Sequence, residues 1–152
     1  MTILEVNQIL EEMRQVPGFE PGLANVASLE TIRCAYNGCG PERWPAEWRD
    51  RLDALTAVYG PAVLVHDLDF GESDGSESGL AAANARFHRN LKAIFRHHYP
   101  LFSLRILAPS YRLERARAKA IMLTLIVCTT APFTRRAWRE AYERRMDVSS
   151  RC

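Results

Sequence analysis

Residues 63–70, Val-Leu-Val-His-Asp-Leu-Asp-Phe, change abruptly from an apolar run to a histidine and two carboxylates. Residues three and four apart lie on one face of a helix, so Val63, His66 and Phe70 share a face. Asp67 projects about 100° away from His66 on the same helix. The segment therefore predicts a buried helix that carries ionisable groups, and the rest of the fold must accommodate it.

The remainder of the chain also favours helices. With 152 residues, 47% of them hydrophobic, it is long enough to build one domain with a real core. Thr2 and Glu5 have the form of a capping box, which predicts a first helix from Ile3 to about Met13. Alternating strand patterns are almost absent, and no repeat or domain boundary is evident. We therefore expect a mainly α single domain over residues 1–152.

Two further segments carry residues that could form one site with His66. Upstream, residues 36–41 (Tyr-Asn-Gly-Cys-Gly-Pro) indicate a tight loop with exposed backbone carbonyls. Downstream, an acidic connector over residues 71–79 leads into a helix predicted over about residues 80–98. Asn84 falls on the apolar stripe of that helix. Burying an amide without a partner costs about 1–3 kcal/mol, so we expect Asn84 to be hydrogen-bonded.

Taken together, these features indicate one polar site. Ca²⁺ prefers several oxygen ligands, typically backbone carbonyls with one or two carboxylates, and the glycine loop and Asp67 offer this set. A histidine beside such a carboxylate can act as a general base if an acceptor holds its other ring nitrogen, and Asn84 is the candidate acceptor. Zinc bound by Cys34, Cys39 and two histidines is an alternative, although the spacing matches no common zinc module.

These residues resemble the phospholipase A2 superfamily, and its compact bacterial and phage-encoded members more than its disulfide-rich secreted enzymes. The likeness lies in the glycine loop, in residues 66–70 (His-Asp-Leu-Asp-Phe) and in residues 84–87 (Asn-Ala-Arg-Phe), and it covers about residues 34–98. The resemblance implies two antiparallel core helices and a calcium-type glycine loop, with a basic helical extension over residues 111–146. It also implies a calcium-dependent phospholipid ester hydrolase.

The resemblance assigns a role to each site residue. His66 becomes the base that activates water, and Asp67 becomes a ligand of Ca²⁺. The loop would contribute three carbonyl ligands, those of Gly38, Gly40 and Glu42. Four residues would support the site: Tyr36, Asn37, Asp69 and Phe70. Asn84 stands where the family has the aspartate that orients the histidine, and an amide cannot stabilise an imidazolium by charge.

The formal net charge of +2 conceals an acidic first half and a basic second half. Residues 1–80 hold 14 Asp and Glu against 5 Lys and Arg, whereas residues 81–152 hold 4 against 15. In one interpretation the two halves pair with each other. In the other, a basic face binds an anionic membrane, a phospholipid or an acidic host protein. Four residues of the last segment would belong to that face: Arg135, Arg136, Trp138 and Arg139.

The apolar run over residues 120–132 is too short for a bilayer, which needs about 20 residues, so we predict a buried core helix and no transmembrane segment. The first basic residue is Arg14, so no export signal is evident, and four cysteines are too few for a disulfide scaffold. We expect a cytoplasmic protein, with a peripheral membrane or virion-associated location as the alternative. Nucleic acid is not an expected partner, because no aromatic-basic readout module is visible.

A second functional hypothesis belongs to a different class. The chain would be a phage or mobile-element accessory protein, catalytically weak or inactive, that binds an acidic host partner through its arginine-rich second half. The substitution of asparagine for aspartate at position 84 and the strong positive charge of residues 81–152 motivate it.

Overall fold

The structure is a computed structural model that describes residues 2–35 and 45–149. Within these ranges it contains helices and no strand, which confirms the mainly α prediction. The α-helices, in chain order, are α1 (Ile3–Gln15), α2 (Leu29–Ala35), α3 (Ala46–Thr56), α4 (Gly60–Gly71), α5 (Glu77–His98), α6 (Pro109–Thr130) and α7 (Pro132–Ser149). Short 3₁₀ turns occupy Gly22–Asn25, Ala57–Tyr59 and Leu104–Leu107. The predicted glycine loop lies outside the described residues.

Local signals fix the ends of two helices. The predicted capping box is present at the start of α1, where the Glu5 backbone N–H donates to the Thr2 hydroxyl and the Thr2 N–H donates to the Glu5 carboxylate. Helix α5 begins at Glu77, three residues earlier than predicted, because the Ser76 hydroxyl accepts a hydrogen bond from the Gly79 N–H and caps the helix. The acidic connector is correspondingly shorter than the sequence indicated.

Helices α4 and α5 form a hairpin at the centre of the molecule. Phe70, near the end of α4, packs in a cluster with Leu80 near the start of α5. Val63, about two turns earlier on α4, packs in a cluster with Phe87 and Leu91. The contacts therefore move in opposite directions along the two helices, so the helices are antiparallel. On its other side α4 packs against α1 and α2, which makes α4 the central helix.

The basic extension packs on this hairpin. Helix α6 lies against α5, and the Tyr59 hydroxyl donates to the Ala118 carbonyl at 2.9 Å. Helix α7 turns back onto α4 and α5, where the Ser73 hydroxyl donates to the Trp138 carbonyl at 2.9 Å. The prediction of a buried core helix over residues 120–132 is wrong for one side of α6, because Leu123 and Val127 are exposed.

By length and hydropathy, no single described helix could cross a bilayer. Helices α6 and α7 pass that test only as a pair, and the pair is bent by 62° at the break between them.

An ion pair between Asp69 of α4 and Arg86 of α5 joins the two hairpin helices. The Asp69 side chain is 7% exposed, and its second oxygen has no hydrogen-bond partner among the described residues. Burial raises the pKa of Asp69, and Arg86 opposes that rise. Gly22, at a φ of +52°, lies against the guanidinium, and a Cβ there would stand 3.0 Å from Arg86 Nη1. A side chain at position 22 would be strained by the positive φ and would crowd the Arg86 guanidinium.

We expect Arg86→Leu to lower the free energy of unfolding by about 3 kcal/mol, because it leaves the Asp69 carboxylate buried without its counter-charge. Urea unfolding at neutral pH measures the change as a lower midpoint at unchanged slope. Arg89→Leu is the matched control, because Arg89 pairs with Glu20 at the surface and its loss should have little effect. Adding Asp69→Asn to Arg86→Leu should recover most of the loss, and a double variant as unstable as the single one would contradict this account.

Candidate active site

His66 lies between two aromatic rings in the hairpin. Its ring centroid is 4.8 Å from that of Phe70 and 4.4 Å from that of Phe87, and its side chain is mostly buried. Burial lowers the pKa of His66 to about 4, while the hydrogen bond to Asn84 opposes the shift and nearby His88 adds to it. His66 is therefore neutral at pH 7. Its contact with Phe70 confirms that the two residues share a face of α4.

Asn84 joins three helices through its amide. Its Oδ1 lies 3.1 Å from Nε2 of His66 on α4, and its Nδ2 donates to the Thr129 carbonyl of α6 at 3.0 Å. Thr129 belongs to the last turn of α6, where the backbone carbonyl groups have no N–H partner within the helix. The sequence-based expectation that Asn84 is hydrogen-bonded is confirmed, and it has two partners.

These two contacts fix the position of the proton on His66. A carbonyl oxygen only accepts, so the amide nitrogen of Asn84 must face Thr129 and the amide oxygen must face His66. His66 therefore donates from Nε2–H, and Nδ1 is its unprotonated nitrogen. This is the tautomer in which Nδ1 can accept a proton from another group.

A second histidine enters the cluster through the same threonine. His88, one turn after Asn84 on α5, has Nε2 at 2.7 Å from the Thr129 hydroxyl. That hydroxyl donates to the Ile126 carbonyl at 2.8 Å, so it accepts from His88. The sequence indicated neither Thr129 nor its bond to His88. No sequence signal showed that Thr129 would lie opposite Asn84 and His88.

The other predicted site residues divide into two groups. Asp67 follows His66 on α4 and is partly buried. Asp69 is held by Arg86, so its supporting role is to join α4 to α5 and not to contact His66. The remaining predicted residues lie outside the described residues: Tyr36, Asn37, Gly38, Gly40 and Glu42.

Of the predicted calcium ligands, only Asp67 lies within the described residues. Its carboxylate is the ligand type that Ca²⁺ prefers, and a site completed by backbone carbonyls needs no second acidic side chain. Within residues 2–35 and 45–149, no three His, Cys, Asp or Glu side chains form a group that could hold a metal ion. The zinc alternative therefore gains no support from the described part of the chain.

The four residues of the predicted binding face on α7 differ in their exposure to solvent. Its three arginines are exposed, and each pairs with a glutamate: Arg135 and Arg139 with Glu77, and Arg136 with Glu140. Trp138 is only 4% exposed and meets the Phe70 ring edge-on at a centroid distance of 5.0 Å. The prediction that Trp138 belongs to the binding face is therefore wrong, because its ring fills the space beside Phe70, Leu80 and Ala83.

No known family model matches the chain, and neither the curated proteins nor the solved structures yield a match. The chemistry of the site residues must therefore carry the functional interpretation. That chemistry is a neutral histidine with a defined tautomer, next in sequence to a carboxylate and held by an amide from the facing helix.

We expect the fold to lose stability as the pH falls from 6.5 towards 4. In this range the unfolded chain protonates residue 66, with an ordinary pKa of 6.5, while the folded chain, with a pKa of about 4, does not. The free energy of unfolding should therefore fall by roughly 3 kcal/mol across this window through His66 alone. Urea unfolding at several pH values measures the slope.

His66→Gln should flatten that slope, because glutamine does not titrate. His88→Gln is the matched control at a less buried histidine, whose pKa burial also lowers, and it should flatten the slope less. A slope that is the same in the original chain and in His66→Gln would show that His66 is not held neutral by burial.

Proposed function

We propose that the chain is a slow, calcium-dependent phospholipid ester hydrolase of phospholipase A2 type. The observation that supports this proposal is the 3.1 Å contact between His66 Nε2 and Asn84 Oδ1. This contact joins α4 to α5. It does so at the two positions where the resemblance places the family's catalytic base and the acid that orients that base. The resulting tautomer leaves Nδ1 of His66 as the basic nitrogen.

In this proposal each residue has one task. His66 Nδ1 takes a proton from the water that attacks the ester carbonyl carbon, and returns it to the leaving alcohol oxygen. Asn84 holds the imidazole through Nε2. Asp67, with the carbonyls of Gly38, Gly40 and Glu42, would hold a calcium ion that polarises the ester carbonyl and stabilises the oxyanion.

The low basicity of His66 is the reason for proposing a slow enzyme. Protonating a group with a pKa of about 4 instead of 6.5 makes the imidazolium roughly 3 kcal/mol less favourable. The amide of Asn84 accepts a hydrogen bond but adds no negative charge to offset this cost. A carboxylate at position 84 would supply that charge.

The catalytic proposal predicts fatty acid release from phospholipid vesicles in the presence of calcium, and loss of that release in His66→Gln. Asp67→Asn should abolish calcium binding measured by isothermal titration calorimetry. Asp50→Asn, at an exposed carboxylate on α3, is the matched control and should leave calcium binding unchanged. Calcium binding that survives in Asp67→Asn would exclude the proposed ligand role of Asp67.

Asn84→Asp tests the orienting role directly. A negative charge within hydrogen-bond distance should raise the pKa of His66 by about 1–3 units, and the rate of ester hydrolysis should rise with it. NMR titration of the His66 ring measures the pKa, and fatty acid release measures the rate. Asn84→Leu serves as the control that removes the acceptor altogether. A raised pKa with no gain in rate would argue that His66 does not act as a base.

A second candidate is the non-enzymatic accessory protein that binds an acidic host partner. The observation that favours it is that every polar atom of the Asn84 amide is used in holding helices together, as a purely structural residue would be. Charge reversal at Arg135, Arg136 and Arg139 would then destroy partner binding, while His66→Gln would leave it intact. The opposite pattern supports the enzyme.

A further inference from the structure

Helix α6 carries more apolar surface than the fold buries. One side packs on the core through Tyr111, Ala118, Met122 and Thr129, which are buried. The opposite side carries five apolar residues at alternating spacings of three and four, and all five are exposed: Leu113, Ala116, Ala120, Leu123 and Val127. This spacing places them along one face of the helix over about 21 Å. That face contributes nothing to the packing of the core.

The segment before α6 also exposes apolar side chains. The 3₁₀ turn Leu104–Leu107 packs against α6, and the residues around it project outward. Phe102 is fully exposed, Leu104 is 89% exposed, and Leu101 and Leu107 are exposed as well. We call these four residues, together with the five on α6, the apolar ridge. Exposed apolar patches of this extent mark interaction surfaces in soluble proteins.

Basic side chains border the ridge on both sides. At 100° per residue, Arg117 lies on one edge of the α6 stripe, while Arg112 and Lys119 lie on the other. Arg105 belongs to the 3₁₀ turn, and all four residues are exposed. None of the four forms an ion pair with another described residue. Glu114, the one acidic residue of α6, points away from the ridge.

We infer that the apolar ridge is a docking surface for an anionic membrane. Its leucines and Phe102 would enter the interface, while the long stems of the bordering basic residues would reach the negatively charged headgroups. A second copy of the chain fits less well, because pairing two ridges would oppose like charges along both edges. Phe102, just before the 3₁₀ turn, and Leu104, at its start, are among the most exposed apolar side chains, as insertion into a membrane interface requires.

This inference is independent of ester hydrolysis, since it rests on exposure and charge outside the His66 cluster. The test is therefore vesicle co-sedimentation of the full chain in EDTA, where calcium-dependent turnover cannot contribute. The chain should bind vesicles of phosphatidylcholine mixed with phosphatidylglycerol at least about tenfold more tightly than vesicles of phosphatidylcholine alone, and high salt should weaken the binding.

Phe102→Ser with Leu104→Ser should weaken binding to the anionic vesicles by about tenfold or more. The matched control is Leu4→Ser with Val26→Ser, which removes two similarly exposed apolar residues, 68% and 82% exposed. Leu4 belongs to α1 and Val26 directly follows the 3₁₀ turn Gly22–Asn25, so both lie away from α6 in sequence. This control should bind as the original chain does. Circular dichroism and urea unfolding verify that each variant is folded.

Charge reversal separates the ridge from the arginines of α7. Reversing Arg112, Arg117 and Lys119 to glutamate should abolish the preference for anionic vesicles, whereas reversing Arg135, Arg136 and Arg139 should largely preserve it. Equal loss in the two triple variants would show a non-specific charge effect and overturn the assignment to the ridge. Failure of the original chain to bind anionic vesicles would also overturn it, as would a concentration-dependent dimer that Phe102→Ser with Leu104→Ser abolishes.

Discussion

The amide of Asn84 is the interaction on which the arrangement of the second half of the chain depends. It connects α5 to His66 of the central helix and to the last turn of α6. The reversal from α6 into α7 follows immediately, so the position of Thr129 also sets where Trp138 meets Phe70. Because these polar groups are partly or fully buried, leaving any one unpaired would destabilise the fold.

The same contacts explain why position 84 holds an amide and not a carboxylate. The Thr129 carbonyl approaches one end of the side chain and requires a donor, while the His66 N–H approaches the other end and requires an acceptor. Asparagine meets both requirements and aspartate meets only one. The packing of α6 thus favours a neutral residue here, and the neutral residue leaves burial to dominate the pKa of His66. Close packing of the extension and a strongly basic histidine are in conflict at this site.

Much of the helical framework follows from local signals. The capping box of Thr2 and Glu5, the apolar stripe of α5 and the need of Asn84 for a partner were all readable from spacing and side-chain chemistry. The identity of the second partner was not, because the register of α6 against α5 is a tertiary property with no local signature. The same limit applies to Trp138, whose burial depends on where α7 folds back, and to α6, whose composition could not show that only one of two apolar sides is covered.

The charge asymmetry of the sequence had two interpretations, internal pairing and an external basic face, and each applies to a different helix. Pairs between the halves join Arg86 to Asp69, Arg89 to Glu20, and Arg135 and Arg139 to Glu77. Helix α7 therefore lies against Glu77 at the start of α5. The positive charge of these α7 arginines is largely compensated within the fold. On α6, Arg112, Arg117 and Lys119 are exposed beside an apolar stripe with no acidic neighbour on that side. Uncompensated positive charge and surplus apolar surface coincide there, and a fold stabilised only from within requires neither.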